Sequence, residues 1–440
     1  MKKTFDAHII KSETCDALFL PNSFRFFEIN DNTIDLVTEL ISGETRENLL
    51  SKYNIDNEML NGLISLLTDR IVPEVKEAPF QSLYKLTINI TNDCNLNCVY
   101  CYANGGKYRS ERNIIDDNTL ITSLHLFFNH YDYISNIQLF GGEPTLNLHA
   151  VELVGDYLNN NFSDDDPKRP KLCMTTNGMR ADDRFICDVN KYKIHLTVSI
   201  DGNQAINDKT RIARNGHGVG DILEKNIDKL IKFTSEPKSA EVTYTQFHED
   251  ENMSVYKTWK YLKERYAFEN IHIVPVASSG EMPCTLYSRK SFIEALPKMI
   301  LEDQECFMLA NSIIQNLFYR KTSPHICEAG LSVFSISTNG DIYPCFMFTD
   351  IQEFKVGNVF DASPTFWDNM KDQLKKFEQY NRFESTQCKN CFNKYLCHGC
   401  MGNNFINTGD AFLCSKKDCD FLKDLTETII LSLIKQQGKR

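Results

Sequence analysis

Three cysteines in the run Thr91-Asn92-Asp93-Cys94-Asn95-Leu96-Asn97-Cys98-Val99-Tyr100-Cys101 are spaced C-x3-C-x2-C. Three thiolates on one short loop can hold three irons of a 4Fe–4S cube and leave the fourth open to a small molecule. A structural zinc site asks for four ligands, and His125 and His130, the next candidates, lie well along the following helical stretch. A second set lies far downstream. Cys327 is followed by twelve residues, Gly340, four more and Cys345; then Cys388-x2-Cys391-x5-Cys397-x2-Cys400 precedes Cys414 and Cys419. Taken alone, that run permits iron–sulfur clusters or zinc ribbons. Cys15, Cys173, Cys187 and Cys284 stand apart and read as small hydrophobes.

The chain that must position these thiols has 440 residues, 42% hydrophobic and 24% charged, with a net charge of −11. The length suits two or three domains, and the acidic balance argues against a nucleic-acid partner. No apolar run is long enough for a membrane span, and no apolar segment follows Met1-Lys2-Lys3 to make a secretory signal. The expectation is a cytoplasmic protein, in which 16 cysteines point to metal rather than disulfides.

Three regions are expected: 1–80, 81–310 and 320–440. In the first, apolar runs between His8 and Glu28 are broken at Pro21-Asn22-Ser23 and read as a strand pair. Ile34, Val37, Leu40 and Ile41 recur at helical spacing up to Gly43; Leu49, Leu50 and Tyr53 mark a second helix, and Met59 to Leu67 a third. This suggests a winged-helix-like unit. In the second, strand-like runs at Leu86–Ile90, Ile137–Phe140, Lys171–Thr175, His195–Ile200, Glu241–Thr245 and Ile271–Val274 alternate with helical stretches. Six β/α units argue an α/β fold, a parallel sheet curled into a partial (β/α)6 barrel with its chemistry at the C-terminal strand ends. The third has little helical periodicity before Phe421–Ile434, so metal ligation is expected to hold it together.

The motifs along these strands resemble the radical S-adenosylmethionine (radical SAM) enzymes. C-x3-C-x2-C with Tyr100 before the last cysteine is followed by Gly141-Gly142-Glu143-Pro144, similar to the family's GGEP motif. Thr176-Asn177-Gly178 ends the third strand, and Ser199-Ile200-Asp201-Gly202 with Asp208 and Arg211 ends the fourth; Asn207 stands where the family segment usually has histidine. The resemblance implies that Cys94, Cys98 and Cys101 hold the radical cluster. It implies that Tyr100, Gly141, Gly142, Glu143, Pro144, Asn177, Ser199 and Arg211 surround S-adenosylmethionine, and that Asp201 faces the substrate pocket. The C-terminal cysteines resemble the SPASM domain, with two intervening residues between Cys397 and Cys400 where its pattern has three. That resemblance implies two auxiliary 4Fe–4S clusters, making three in all. Cys327, Cys345 and Cys400 would hold the first, with Cys306 or Cys419 as a fourth ligand or an open iron. Cys388, Cys391, Cys397 and Cys414 would hold the second.

Enzymes of this kind often modify peptides. The N-terminal unit resembles the precursor-recognition domain of ribosomal-peptide maturases, which would hold a leader peptide as an added strand. Cys101 to Tyr108 and Lys394 to Cys397 are similar to maturases that install cysteine-to-carbon thioether crosslinks. Precursor peptide is therefore the expected partner and a flavodoxin or ferredoxin the expected electron donor. An anaerobic sulfatase-maturating enzyme is the competing reading. That family carries an acidic residue after the cysteine matching Cys345, where this chain has Phe346. A scaffold stapled by metal and lacking turnover is the third.

Overall fold

The computed structural model describes residues 5–69, 74–75, 82–277 and 282–438. The N-terminal unit begins with three strands, β1 (His8–Ile10), β2 (Asp16–Leu20) and β3 (Arg25–Ile29), in an antiparallel sheet of that order. Three helices follow: α1 (Asp31–Ser42), α2 (Arg46–Tyr53) and α3 (Asn57–Thr68). Each helix has a side-chain cap where the sequence offers one: Asn30, Thr45 and Asp56 accept from the amides of Thr33, Asn48 and Met59. Gly43, at φ 95°, ends α1 in the left-handed conformation that glycine adopts without steric cost. The strand pair expected from sequence is thus a three-stranded sheet. Its first turn is made by Ser12, whose hydroxyl donates to the carbonyl of Cys15 at 2.6 Å, with no glycine or proline to announce it.

A short parallel pair, β4 (Glu74–Val75) with β11 (Lys321–Thr322), lies apart from the main sheet. The barrel strands are β5 (Ser82–Thr91), β6 (Tyr133–Gly141), β7 (Lys171–Thr176), β8 (His195–Ser199), β9 (Ser239–Tyr244) and β10 (Asn270–Pro275). They pair in sequence order, all parallel, as an open partial barrel. Helices α4 (Asp117–His130), α5 (Leu148–Asn161), α6 (Asp183–Tyr192), α7 (Gln204–Thr210), α8 (Gly220–Thr234), α9 (Gln246–Asp250) and α10 (Val255–Tyr266) lie between them. On β5, Leu86, Ile88 and Ile90 are buried in the core shared with Leu124 and Phe127 of α4 and Val151 and Val154 of α5. The alternate positions Thr87, Asn89 and Thr91 present the opposite face.

Beyond α11 (Lys290–Lys298) and α12 (Met308–Tyr319), the chain returns to the barrel. Strand β12 (Val333–Ile336) pairs parallel with β5, and β13 (Asp341–Tyr343) and β14 (Gly357–Asn358) continue the sheet antiparallel to nine strands. This edge brings Cys345, just after β13, to the mouth of the barrel. The remaining helices are α13 (Phe366–Gln379), α14 (Met401–Thr408) and α15 (Lys416–Gln437). The expectation of little helix before Phe421 is corrected by α13, which buries Phe366, Met370, Leu374 and Phe377, one face of a helix.

Candidate functional site

The cluster loop leaves the end of β5, and the Gly141-Gly142 pair leaving β6 runs along it. The amides of Gly142 and Glu143 donate to the carbonyls of Thr91 and Asp93, both at 2.8 Å. A Cβ on Gly141 would lie 2.0 Å from the Thr91 oxygen, and one on Gly142 would lie 2.1 Å from that of Asp93. Gly141 also has φ 134°. The two glycines are therefore required by backbone-to-backbone approach. Glu143 is buried, and its carboxylate accepts four hydrogen bonds, from the amide and hydroxyl of Thr145, the hydroxyl of Thr176 and the amide of Asn177, at 2.6–3.1 Å. Burial pushes its carboxyl up, and these donors pull against that. Glu143 thereby ties the ends of β6 and β7 together. Asn177 passes the brace on, donating to Asn95 Oδ1 at 2.7 Å and lying 3.8 Å from Cys94 Sγ. Asp93 receives Arg112 and Arg214 on the outer side of the same loop.

A cavity of about 280 Å³ opens at these strand ends. Cys94, Cys98, Cys101, Tyr100, Gly141, Gly142, Glu143, Asn177, Ser199 and Arg211 all line it. Two expectations are corrected. Pro144 is buried at the first position of a 3-10 turn and does not line the cavity. Asp201 does not face a pocket: it is fully buried behind the wall. Its Oδ2 accepts from Tyr100 Oη and Thr210 Oγ1, both at 2.7 Å, and its Oδ1 accepts from the Thr243 amide at 3.0 Å. Arg211 Nη1 donates to Tyr100 Oη at 2.7 Å and stands 3.8 Å from Asp201. Asp201 is thus the counter-charge that lets a buried arginine sit at the cavity wall. Asn207 holds this loop through the Asp201 amide and the Gly202 carbonyl, at 2.9 and 2.7 Å.

The residues fit the group their motif implies. Arg211 Nε is buried without a hydrogen-bond partner and belongs to the one cation among the described lining residues. Burial pushes the Cys94 thiol up to about 12 and that of Cys98 to about 11, so bare thiolates are unfavourable there without a bound cation. No three metal-ligating side chains among the described residues converge tightly enough to share one ion. A cube asks less, because each thiolate meets its own corner iron.

The downstream cysteines form two groups. Cys327, Cys345 and Cys400 interact with one another, and burial raises Cys327 to about 11 and Cys345 to about 12. Cys388, Cys391, Cys397, Cys414 and Cys419 form the other. Cys306, weighed as a ligand for the first group, is buried elsewhere, beside a small cavity with Trp259, Lys263 and Glu305. Cys419, the other candidate, belongs with the second. A second cavity of about 370 Å³ reaches Cys345 and Cys400 as well as Cys397, Cys414 and Cys419. It shares Glu241, Thr243, Val274, Met347 and Asn403 with the first cavity, so the two adjoin. Sequence reasoning missed Glu241 and His272. They are register neighbours on β9 and β10, and Glu241 is level with Ser199 on β8. The signal was available in the strand alignment, where Ser199 had already been placed at the site.

An open parallel barrel with three thiols after its first strand and two further thiol groups beside its mouth defines an iron–sulfur protein built around a small-molecule pocket. Residues 88–249 match the Radical SAM superfamily and residues 327–392 an iron–sulfur cluster-binding domain, SPASM. The chain thus carries a radical SAM domain and a SPASM domain, and binding of S-adenosylmethionine and iron–sulfur clusters goes with those domains. It is 34% identical over 131 residues to an uncharacterised protein of Methanocaldococcus jannaschii, matching 30% of this chain and 43% of that one, less than half its length. It is 23% identical over 375 residues to a cysteine-type anaerobic sulfatase-maturating enzyme of Clostridium novyi, covering 79% of this chain and 96% of that one. Among solved structures it resembles native anSMEcpe with bound AdoMet (TM-score 0.66, 21% identity, 81% of this chain and 100% of that one). It also resembles Streptococcus suis SuiB bound to precursor peptide SuiA (TM-score 0.54, 16% identity, 94% and 98%). No helix among the described residues is long and apolar enough to cross a membrane.

Proposed function

We propose that this protein is a peptide maturase that takes a hydrogen atom from a ribosomal precursor peptide and joins a cysteine sulfur to the resulting carbon centre. The carrying observation is the pair of adjoining cavities, one lined by Cys94, Cys98 and Cys101 and the other by Cys345 and Cys400 of the three-thiol group. Cys94, Cys98 and Cys101 would hold a 4Fe–4S cluster, which with S-adenosylmethionine bound in the cavity would supply the one-electron chemistry that yields a 5′-deoxyadenosyl radical. Arg211 Nε offers the free donor for the carboxylate of that cofactor, and Ser199 and Asn177 flank it. Tyr100 and Asp201 hold the arginine in place. Cys327, Cys345 and Cys400 are one thiol short of a cube's four corners, which leaves room for a substrate thiol. Cys388, Cys391, Cys397 and Cys414 are the proposed holders of a third cluster.

The N-terminal sheet supports a peptide substrate. Among the described residues strand β3 pairs on one side only, and a cavity of about 480 Å³ beside it is lined by Phe24, Phe26, Phe27, Leu66 and Phe318. A leader peptide would add a strand there and place apolar side chains in the cavity. SuiB, solved with its precursor peptide, has the same overall fold. A low-potential flavodoxin or ferredoxin is the proposed donor.

Phe346 argues against the sulfatase-maturating reading. Its ring packs on Phe140 and Tyr102 with centroids 4.9 and 6.5 Å away, and it offers no carboxylate. The test is anaerobic: reconstituted enzyme, dithionite, S-adenosylmethionine and a cysteine-bearing precursor peptide. A thioether product has lost two hydrogens and one alkylatable thiol. A product whose sulfur has been replaced by oxygen would give the sulfatase-maturating chemistry instead.

A further inference from the structure

The second auxiliary group has more thiols than a cube has corners. Cys388 and Cys391 share one turn, the amide of Cys391 donating to the carbonyl of Cys388 at 2.9 Å. Gln387 fixes Cys414 beside them: its Nε2 donates to the Cys414 carbonyl at 2.7 Å, and its Oε1 accepts from the Cys414 amide at 3.1 Å. Ser415 then caps α15, accepting from the Asp418 amide at 3.1 Å. The Cys419 amide donates to the Ser415 carbonyl at 3.0 Å. Cys419 is therefore one helical turn above the cap, in contact with the same cavity as Cys397 and Cys414. Cys388 and Cys419 are the two thiols that act on Cys414. Asp418, next to Cys419 in sequence, is engaged by Arg289 at 2.6 Å and Asn407 at 2.7 Å and does not compete as a ligand.

We propose that Cys414 and Cys419 are alternative thiolate ligands to one corner iron of the second auxiliary cluster. This rests on the reading of the second group as an iron–sulfur cage. The exchange is balanced. One iron–sulfur bond to Cys414 breaks and one to Cys419 forms, a proton passes from the entering thiol to the leaving one, and no electron changes hands. Charge at the cluster is the same in both states, and the two cysteines flank the Ser415 cap at the start of α15.

The experiment uses the full chain reconstituted anaerobically with iron and sulfide, beside Cys414→Ala, Cys419→Ala and the double variant. Iron and sulfide are counted, and the dithionite-reduced proteins are compared by electron paramagnetic resonance. Each single variant is expected to keep the wild-type iron content with a shifted signal, and the double variant to lose one cluster. Iodoacetamide followed by peptide mapping should label both Cys414 and Cys419 partially in the loaded wild type. In each single variant the remaining cysteine should become protected. Loss of the cluster from either single variant overturns the exchange and leaves the missing residue as an obligate ligand. Full iron in the double variant overturns the cage itself.

Discussion

His8 of β1 stacks on Phe392, with ring centroids 3.6 Å apart and planes within 3° of parallel. Phe392 directly follows Cys391, so the N-terminal sheet rests on the loop that carries the second thiol group. The contact is extended on both sides. His8 Nε2 is 2.7 Å from Glu427, Lys394 pairs with Asp6 at 3.3 Å, and Tyr395 donates to Asn22 at 2.9 Å. Every residue from Phe392 to Tyr395 except the buried Asn393 thus meets the N-terminal unit.

Removing that stack should loosen the module. An aromatic pair contributes about 0.5–1.5 kcal/mol beyond its buried area, and Phe392 also meets Phe19 edge-on at 6.5 Å. Phe392→Ala is expected to speed amide hydrogen exchange over residues 8–29 by about tenfold, with strands β5 to β7 unaffected. Unchanged exchange over 8–29 would mean that the packing of β2 and β3 against α15 holds the module by itself.

Tyr100→Phe should weaken S-adenosylmethionine binding while leaving the cluster loaded. The phenol bridges Arg211 and Asp201, and hydrogen bonds to charged groups contribute about 1.5–3 kcal/mol. Calorimetry on reconstituted protein should show at least a tenfold rise in Kd. Asp201→Asn goes further, since it leaves Arg211 buried without its counter-charge, a loss of about 3–5 kcal/mol expected to appear as a lower Tm. Wild-type affinity in the phenylalanine variant would show that the cofactor does not use this arginine.

Gly142→Ala should abolish cofactor binding, because the added methyl would meet the Asp93 carbonyl and push the cluster loop off β6. Gly62→Ala is the matched control. It lies in α3 with nothing within 4 Å of the added Cβ, and alanine there should stabilise that helix by up to about 1 kcal/mol. Equal iron retention and cofactor affinity in the two variants would refute the close-approach argument.

The strand order and the thiol loop were legible because β/α alternation and short-range spacing are local properties. The three-stranded N-terminal sheet was half legible, since Ser12 turns the chain without glycine or proline. The face that α13 buries was present in Phe366, Met370, Leu374 and Phe377 and was overlooked among the cysteines. Asp201 was misplaced for a physical reason. A carboxylate at a strand end looks like a pocket residue, and only the tertiary fold shows that Tyr100, 101 positions away, takes its oxygen. The clasp on Phe392 joins residues nearly 400 apart, and nothing in either segment announces it.

Glu241 and His272 invite the last test. Both side chains line the cavity between the radical site and Cys345, and neither has a hydrogen-bond or ion-pair partner among the described residues. Forming a thioether releases the proton of the attacking thiol, and formylglycine chemistry also begins from a thiol, so either reaction needs an acceptor. With Phe346 after Cys345, a carboxylate on β9 is placed to serve. Glu241→Gln should lower crosslinked product by about 10²-fold or more, while 5′-deoxyadenosine release continues, because hydrogen abstraction precedes proton transfer. His272→Gln should have the smaller effect if it only orients the carboxylate. Product at the wild-type rate from the glutamine variant would remove Glu241 from the chemistry. Loss of 5′-deoxyadenosine along with product would instead place Glu241 in binding the cofactor or the peptide.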